Sequence, residues 1–364
     1  MLWSPRSTRV LFIRPGAFGD VLMLTPFLRR LRAEDAAQRV ELFSLVGDVW
    51  AGAGGDRWYP IQECGLRQAQ AGHARTFWFT YEHHPALHPL EGYALATGVE
   101  PLGRTLDWTV DAGARASAER ILSGLPRPLI GFSPTSEHAL RTLPLAQIQA
   151  VVDGVRREFG GTVLLTGRAP LSVEGCVNLG GALPSMRELG ALMAGSDAWI
   201  AVDAGPFHLA QALGVPLVGL FGCTLPELRV TRPESVHIVR CEGLACLGCY
   251  HALPAGAETL DACGRGDLAC LRDLQVEPIL KALRAVLEGQ PDLRLRDRMA
   301  HYDIRRTEET SQWTETACED VLRAFQARIR EIEGAHPPRK RLERTLRRWR
   351  KGLVARAKAW GASG

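Results

Sequence analysis

Residues 203–224 read DAGPFHLAQALGVPLVGLFGCT, and this segment constrains the fold more than any other part of the chain. A strand-type apolar run precedes it, a short apolar helix begins at Gly205 and ends at Gly214, and a second apolar run follows at once. Strand, turn, helix and strand in so few residues predict a parallel α/β unit. The turn exposes backbone N–H groups at the positive end of the helix, where phosphates bind well. Asp203 and His208 flank that position, so we expect a nucleotide-diphosphate site there.

The same alternation of strands and helices recurs on both sides of the segment Pro126-Arg-Pro128. It predicts an α/β fold with two parallel-sheet domains that face each other across a cleft. We expect an N-terminal domain over 1–125, a second domain over 126–289 and a helical, basic C-terminal extension over 290–364. Expected strands are 9–13, 40–45, 76–80, 129–133, 162–165, 199–202 and 215–221, and expected helices are 21–32, 114–122, 145–159, 185–194, 205–213 and 276–287.

The composition indicates the cellular compartment in which the protein is expected. No apolar run approaches the roughly 18 residues that a membrane-spanning helix needs, and the N-terminal residues do not read as a secretory signal peptide. We therefore expect a cytoplasmic protein whose nine cysteines are thiols, metal ligands or buried apolar groups. Only four of the 44 basic residues are Lys, so an Arg at any single position carries little information.

A second motif lies near the N-terminus, where the chain reads RPGAFGDVLMLTP from Arg14 and places Asp20 directly after a glycine. With this motif and the 203–224 segment in this order, the chain resembles glycosyltransferase family 9, the ADP-heptose:lipopolysaccharide heptosyltransferases, over residues 8–289. The resemblance implies the GT-B fold, in which two Rossmann-like domains bind the acceptor on the N-terminal half and the nucleotide sugar on the C-terminal half. It also implies heptose transfer from ADP-heptose with inversion and without a catalytic metal.

The resemblance assigns the catalytic base to Asp20. An inverting transfer needs a carboxylate that takes the proton from the attacking hydroxyl. Asp20 would lie at the mouth of a strand-to-helix turn, on an acceptor-side loop with Arg14, Gly16 and Gly19. From the residues alone, Asp20 is also suited to cap the helix 21–32. One side chain can serve both roles.

The 203–224 segment supplies the expected donor-binding residues Asp203, Ala204, Gly205, His208 and Thr224. His208 falls one turn into the helix, so its side chain can reach an anion at the helix N-terminus; the other interpretation is a core histidine. We expect Asp203 either to fix the turn through backbone N–H groups or to contact the sugar. Ala204 lacks the hydroxyl that family members usually carry after this Asp, whereas Thr224 keeps the last hydroxyl of the motif.

A third segment, SPTSEHALRTLP from residue 133, resembles the phosphate-contacting segment that follows the first strand of the second domain in this family. Thr135 and Ser136 are the expected hydroxyl donors to the anion. The family often has Lys where Arg141 falls, and Arg can still neutralise charge on the leaving diphosphate. The alternative is an exposed arginine at the start of a helix.

Cysteines concentrate in a loop-like stretch over 241–270. Their spacing suggests a structural site for zinc or iron, because a C-x2-C pair followed by two more cysteines is typical of tetrathiolate sites. A heptosyltransferase branch that modifies autotransporters is similar in placing four metal-binding cysteines late in its sequence. Reduced thiols that pack as small apolar groups are the alternative. The four expected ligands are Cys246, Cys249, Cys263 and Cys270.

The segment 337–364 is strongly basic, with seven Arg and three Lys against one Glu. Its apolar side chains recur at intervals of three and four residues, which predicts an amphipathic helix. Such a helix can dock on an anionic membrane surface. Packing on the mildly acidic body of the protein is the alternative, and nucleic-acid binding is not expected.

These features predict an enzyme that moves a heptose or a related sugar from an ADP-sugar to a lipopolysaccharide-core or related lipid-linked glycan. It would act in the cytoplasm, at the inner face of the membrane, and would need no cofactor for catalysis. A second possibility is a protein heptosyltransferase that acts on a surface or autotransporter polypeptide. A third, of another class, is a non-catalytic GT-B protein that binds nucleotide sugars, for which the missing hydroxyl at Ala204 is the only support.

Overall fold

The computed structural model describes residues 9–81, 87–183, 185–251 and 262–300. Its described part contains two sheets, one of four and one of six strands. Each strand in them runs parallel to the strands with which it pairs. This architecture confirms the predicted α/β fold with two Rossmann-like parallel sheets.

The strands of the first sheet are β1 (Arg9–Arg14), β2 (Arg39–Ser44), β3 (Trp58–Pro60) and β4 (Arg75–Trp78), and those of the second are β5 (Leu129–Ser133), β6 (Thr162–Leu165), β7 (Val177–Asn178), β8 (Ala198–Val202), β9 (Leu217–Phe221) and β10 (Val236–Arg240). Their spatial orders are β3-β2-β1-β4 and β10-β9-β8-β5-β6-β7. Helices cover both faces of a parallel sheet, so its inner strands are apolar throughout. Accordingly, β5, β8 and β9 are buried at every residue.

Most predicted helices form close to their predicted limits. Gly214 ends one of them in the left-handed conformation that glycine adopts without strain (φ 69°). The helices are α1 (Phe18–Leu22), α2 (Thr25–Glu34), α3 (Asp48–Gly52), α4 (Leu66–Gln70), α5 (Pro89–Thr97), α6 (Ala112–Leu122), α7 (Leu145–Phe159), α8 (Met186–Ala194), α9 (Gly205–Leu213), α10 (Ala269–Arg272) and α11 (Val276–Leu287).

The single helix predicted over 21–32 is wrong in one respect, because the structure divides this stretch into α1 and α2. Pro26 stands in the first turn of α2, where its missing N–H is not needed. The same proline would remove a hydrogen bond and crowd the preceding turn if one helix ran through. Asp20 therefore lies in the first turn of a short helix rather than at the N-cap of a long one.

Helix α1 of the first-sheet half approaches α9 of the second, where a Cβ on Gly19 would lie 2.5 Å from Cδ2 of His208. A tryptophan packs between α1 and α8. The ring of Phe18 on α1 lies 5.6 Å from that of Trp108. Trp108 also reaches α8, where a Cβ on Gly190 would lie 2.9 Å from the indole nitrogen. Helix α6, which precedes the predicted boundary at 126, packs against α8. These contacts hold the carboxyl ends of strands from both sheets against a common cleft.

Within the residues that the structure describes, no helix is long and apolar enough to span a membrane. Residues 293–300 are helical, and Leu295 is fully buried. The remainder of the expected extension, including the basic segment 337–364, lies outside the described residues. Its membrane-docking and self-packing interpretations therefore stay predictions.

Candidate functional site

The first-sheet side of the cleft is built around Asp20, which follows β1 in the first turn of α1. Its Oδ2 accepts a hydrogen bond of 2.7 Å from the backbone N–H of Ala17. Its Oδ1 accepts one of 2.8 Å from the Tyr81 hydroxyl and lies 3.1 Å from Nη2 of Arg14. About a fifth of the side chain stays exposed (19%). Asp20 is therefore not the N-cap of a helix that begins at 21, as predicted, but a first-turn residue whose carboxylate accepts the N–H of Ala17, the N-cap of α1. The rest of the carboxylate is presented to the cleft, where the proposed base is expected.

Arg14 supports this carboxylate from the interior. The residue is only 1% exposed, and its guanidinium lies 4.9 Å and 5.4 Å from the ring centroids of Tyr81 and Tyr93. It also donates a hydrogen bond of 3.2 Å to the carbonyl oxygen of Phe79. The aromatic faces and the Asp20 charge together stabilise the buried cation. Tyr81 and Tyr93 lie outside the predicted motifs, so no sequence pattern indicated them.

A side chain would clash at both glycines of the acceptor-side loop, but with a different neighbour at each. A Cβ on Gly16 would lie 2.5 Å from Cβ of Asp20. A Cβ on Gly19 would lie 2.5 Å from Cδ2 of His208, which belongs to α9 below the second sheet. Gly19 therefore allows His208 of the second sheet's layer to approach the Asp20 turn closely.

The second-sheet side of the cleft is organised by Asp203, directly after β8. Its Oδ2 lies 3.3 Å from Nη1 of Arg141 and 3.5 Å from Nε of Arg229, and its Oδ1 lies 3.7 Å from Nε2 of His208. Burial alone would raise the pKa of Asp203, but the charges of Arg141 and Arg229, together with the nearby His208, hold that pKa well below its usual value. Among the described residues, the carboxylate hydrogen bonds to Arg141 rather than to the backbone of the turn.

Arg229 is a central residue of the site that the sequence analysis missed. It is 6% exposed, and its guanidinium lies 5.9 Å from the ring centroid of Tyr81, across the cleft. Burial opposes its charge, yet the charges of Asp203 and Asp20 help to raise its pKa. Its position five residues after Thr224, the end of the donor motif, was the available signal. The abundance of Arg in this chain hid that signal.

Four side-chain atoms of the predicted donor residues are buried without a hydrogen-bond partner among the described residues. They are Nε of Arg141, Oδ1 of Asp203, Nδ1 of His208 and Oγ1 of Thr224. Leaving a buried polar group unpaired costs about 1–3 kcal/mol, so such groups usually have a partner. Arg141 and His208 both approach Asp203, and we therefore expect a polar ligand at this position.

The predicted turn at Ala204 and Gly205 has the expected backbone. Ala204 is the N-cap residue of α9 and makes no side-chain cap hydrogen bond. Gly205 begins the helix, where a Cβ would come within 3.5 Å of Phe18 on α1. The N-terminus of α9 therefore keeps its positive dipole end towards the cleft without the hydroxyl that the family usually supplies.

The predicted hydroxyl donors Thr135 and Ser136 lie on the loop after β5. Ser136 shapes this loop, since its Oγ accepts a hydrogen bond of 3.2 Å from the His138 N–H and its own N–H donates to Oγ1 of Thr142 at 3.0 Å. Thr135 is half-buried, with Oγ1 3.3 Å from a Cβ built on Gly167. The loop leads directly into the turn that carries Arg141.

The four predicted metal ligands are close enough to influence one another. Burial, together with Cys249, Cys246 and Cys263, raises the pKa of Cys270 to about 11. Burial, with Cys246 and Cys263, likewise raises the pKa of Cys249. Four clustered thiols are a donor set that suits zinc or iron. In the described ranges, however, no group of three or more His, Cys, Asp or Glu side chains is arranged to hold a metal ion.

Residues 93–253 match the model of glycosyltransferase family 9 (heptosyltransferase). Lipopolysaccharide heptosyltransferase 3 of Escherichia coli is 28% identical over 142 residues, which are 35% of this chain and 41% of that protein. The chain therefore spans less than half the length of this curated relative. The matched segment contains the donor-side residues, whereas Asp20 precedes it.

Solved structures share the fold at low sequence identity. A family 9 glycosyltransferase from Veillonella parvula has a TM-score of 0.61 at 16% identity, covering 78% of this chain and 98% of its own. The E. coli ADP-heptose lipopolysaccharide heptosyltransferase II has a TM-score of 0.57 at 18% identity, and the match covers 77% of this chain and 98% of that protein. The iron-containing dodecameric glycosyltransferase TibC from enterotoxigenic E. coli has a TM-score of 0.58 at 15% identity, and the match covers 78% of this chain and 77% of that protein.

Two parallel sheets that face a charged cleft, with these structural neighbours, define the GT-B class of fold. Within this class, the family match over residues 93–253 and the curated relative confirm the resemblance to the heptosyltransferases of glycosyltransferase family 9.

Proposed function

We propose that the protein is an inverting, metal-independent glycosyltransferase that moves a heptose or a related sugar from an ADP-sugar to a lipopolysaccharide-core or related glycan. The observation that carries this proposal is the convergence of two side chains with unpaired polar atoms, Arg141 and His208, on Asp203 just before the N-terminus of α9. A diphosphate would satisfy both groups, and the unpaired Thr224 hydroxyl after β9 is a third donor in this proposal. Asp20 stands across the cleft, where Gly19 contacts His208.

In this proposal Asp20 takes the proton from the acceptor hydroxyl as the hydroxyl oxygen attacks the anomeric carbon. The bond from that carbon to the diphosphate oxygen breaks, and ADP leaves with the electron pair. Attack from the side opposite the diphosphate inverts the anomeric configuration. Arg141 and Arg229 face a single carboxylate, Asp203. The surplus positive charge would stabilise the leaving diphosphate without a divalent ion.

The identity of the donor and the acceptor is supported by relatives alone. One structural neighbour is TibC in complex with ADP-D-β-D-heptose, with a TM-score of 0.55. The curated relative is a lipopolysaccharide heptosyltransferase. We propose ADP-heptose as the donor and a lipid-linked core glycan as the acceptor, which would bring the protein to the cytoplasmic face of the membrane.

The proposal is tested by ADP release from ADP-heptose, with and without a core oligosaccharide acceptor. We expect acceptor-dependent release that persists in EDTA, because protein cations replace a divalent ion at the diphosphate. Strict dependence on Mg²⁺ or Mn²⁺ would contradict metal-independent catalysis. Tight ADP-heptose binding with no turnover on any acceptor would instead favour the non-catalytic nucleotide-sugar-binding protein.

We further propose that Cys246, Cys249, Cys263 and Cys270 hold a structural zinc or iron ion. Elemental analysis of protein purified without an affinity metal should find about one such ion per chain. The variant Cys249→Ser should lose the ion and melt at a lower temperature, because the binding energy of a structural metal is folding energy. The control is Cys176→Ser, a half-buried thiol outside this cluster, which should keep the ion. The metal site would be refuted if wild-type protein contained no metal, or if its melting temperature were the same with and without the metal.

The cysteine cluster also favours a second candidate function, transfer of heptose to a surface or autotransporter polypeptide. Its support is the fold likeness to the iron-containing glycosyltransferase TibC, together with the four clustered thiols. Offering the purified protein both a polypeptide acceptor and a core oligosaccharide would separate the two functions, since only the true acceptor should stimulate ADP release.

A further inference from the structure

Residues 246–251, which we call the cysteine loop, are seated directly on the turn after β9. The N–H of Gly248 donates a hydrogen bond of 3.0 Å to the Gly222 carbonyl, and the N–H of Tyr250 donates one of 2.8 Å to the Cys223 carbonyl. That turn continues into Thr224, whose buried hydroxyl has no partner among the described residues. The cysteine loop therefore fixes the backbone next to a group that we place in the donor site.

The side chain of Tyr250 extends from this loop towards the other donor-side segment. Its ring meets that of His138 edge to face, with centroids 6.1 Å apart. His138 directly precedes the turn Ala139–Arg141, which ends at the arginine bound to Asp203. Tyr250 thus bridges the turn after β9 and the segment that carries Arg141.

The Tyr250 hydroxyl lies within electrostatic reach of the cationic residues of the donor side. It interacts with the guanidinium groups of both Arg141 and Arg229. A phenolic hydroxyl can donate a hydrogen bond, so it can contribute one to an anion held by these two cations.

We propose that the cysteine loop forms a wall of the donor site and that the Tyr250 hydroxyl donates a hydrogen bond to the diphosphate of the nucleotide sugar. This inference rests on the proposed function, because it takes the ligand of the cleft to be a nucleotide diphosphate. It adds a binding residue from outside the family motifs. It also places Cys246 and Cys249 on the segment that positions that residue.

The first test is Tyr250→Phe, with ADP binding measured by isothermal titration calorimetry. The change removes one hydroxyl and keeps the ring on His138. A hydrogen bond to a charged group contributes about tenfold in affinity, so we expect ADP to bind the variant about tenfold more weakly at an unchanged melting temperature. Wild-type affinity in this variant would overturn the role of Tyr250.

The second test displaces the cysteine loop without touching Tyr250 or a thiol. A Cβ on Gly248 would lie 2.4 Å from Cδ2 of Leu225, whereas a Cβ on Gly243 would meet nothing within 4 Å. Both glycines have positive φ, 76° and 84°, so alanine strains the backbone similarly at each. Gly248→Ala should therefore weaken ADP binding several-fold more than the matched control Gly243→Ala. Equal affinities would show that the loop is not a wall of the site.

The two proposals fail differently in this experiment. If wild-type protein does not bind ADP, the proposed donor class is wrong, and the inference is wrong with it. If wild-type protein binds ADP and the Tyr250→Phe and Gly248→Ala variants bind it equally well, the proposed function stands and the inference is wrong.

Discussion

Asp20→Asn is expected to reduce kcat by at least about 100-fold, because removal of a general base typically has an effect of that size. Asn keeps the size of the side chain and can still accept the hydrogen bond from the Ala17 N–H that caps α1. Donor binding should stay within a few-fold of wild type, since the donor-side groups are on the other half of the cleft. The measurements are acceptor-dependent ADP release and ADP titration.

The substitution also removes the anionic partner of buried Arg14, so a control must separate catalysis from folding. Asp107→Asn is suited to this, because Asp107 pairs with Arg29 at 2.7 Å in the same half of the protein, outside the cleft. It should turn over at the wild-type rate. If Asp20→Asn retained more than about a tenth of the wild-type kcat, Asp20 would not be the base.

Asp203→Asn is expected to lower the free energy of unfolding by about 3 kcal/mol, because it removes one partner of a buried charge cluster. The side chain of Arg229 is 7% exposed and would lose the carboxylate that offsets its burial. The side chain of Arg141 is 26% exposed, so water can solvate its guanidinium. We therefore expect a loss of stability near the low end of the range for breaking a buried ion pair. Urea unfolding followed by tryptophan fluorescence measures the effect.

Asp197→Asn is the matched control, because Asp197 precedes the same strand that Asp203 follows. Its partner Arg127 is 59% exposed, so this pair should contribute about 1 kcal/mol or less. A similar loss of stability in both variants would argue against a special charge cluster at Asp203.

The pH dependence of stability gives a further readout of the same variant. The folded-state pKa of Asp203 lies well below its unfolded value, so its contribution is fully present above that unfolded value, about 4. The contribution is lost as the pH falls from about 4 towards the folded pKa. Wild-type protein should therefore lose more stability between about pH 5 and pH 3 than Asp203→Asn does. Parallel curves would show that Asp203 is not held ionised by its partners.

The local periodicity of the chain was sufficient to predict most of the longer strands and helices. Apolar runs with flanking turn residues predicted β1, β5, β8 and β9 and helices α7 and α11 to within a residue or two. Short elements escaped prediction. The strand β7 has two residues, and β10 is buried only at Val236 and Val239, so neither has a strong apolar signal of its own.

The motifs also predicted which residues would converge, but not how they would pair. The sequence placed Asp20, Arg141, Asp203 and His208 near strand ends of two parallel sheets, and the structure brings these four residues close together. The roles of these residues remain proposals. Their pairing partners, such as Arg229 on Asp203, come from segments without a recognisable motif.

By itself, the sequence determined the parallel α/β architecture and the segments that border the cleft, because strand, helix and turn preferences act between residues close in the chain. Only the tertiary structure decided that Arg229 joins Asp203, that Tyr81 holds Asp20 and that Tyr250 reaches between the donor-side segments. Those contacts join residues far apart in the chain. They depend on how the two sheets dock and on which buried charges need a partner, and no local pattern encodes either.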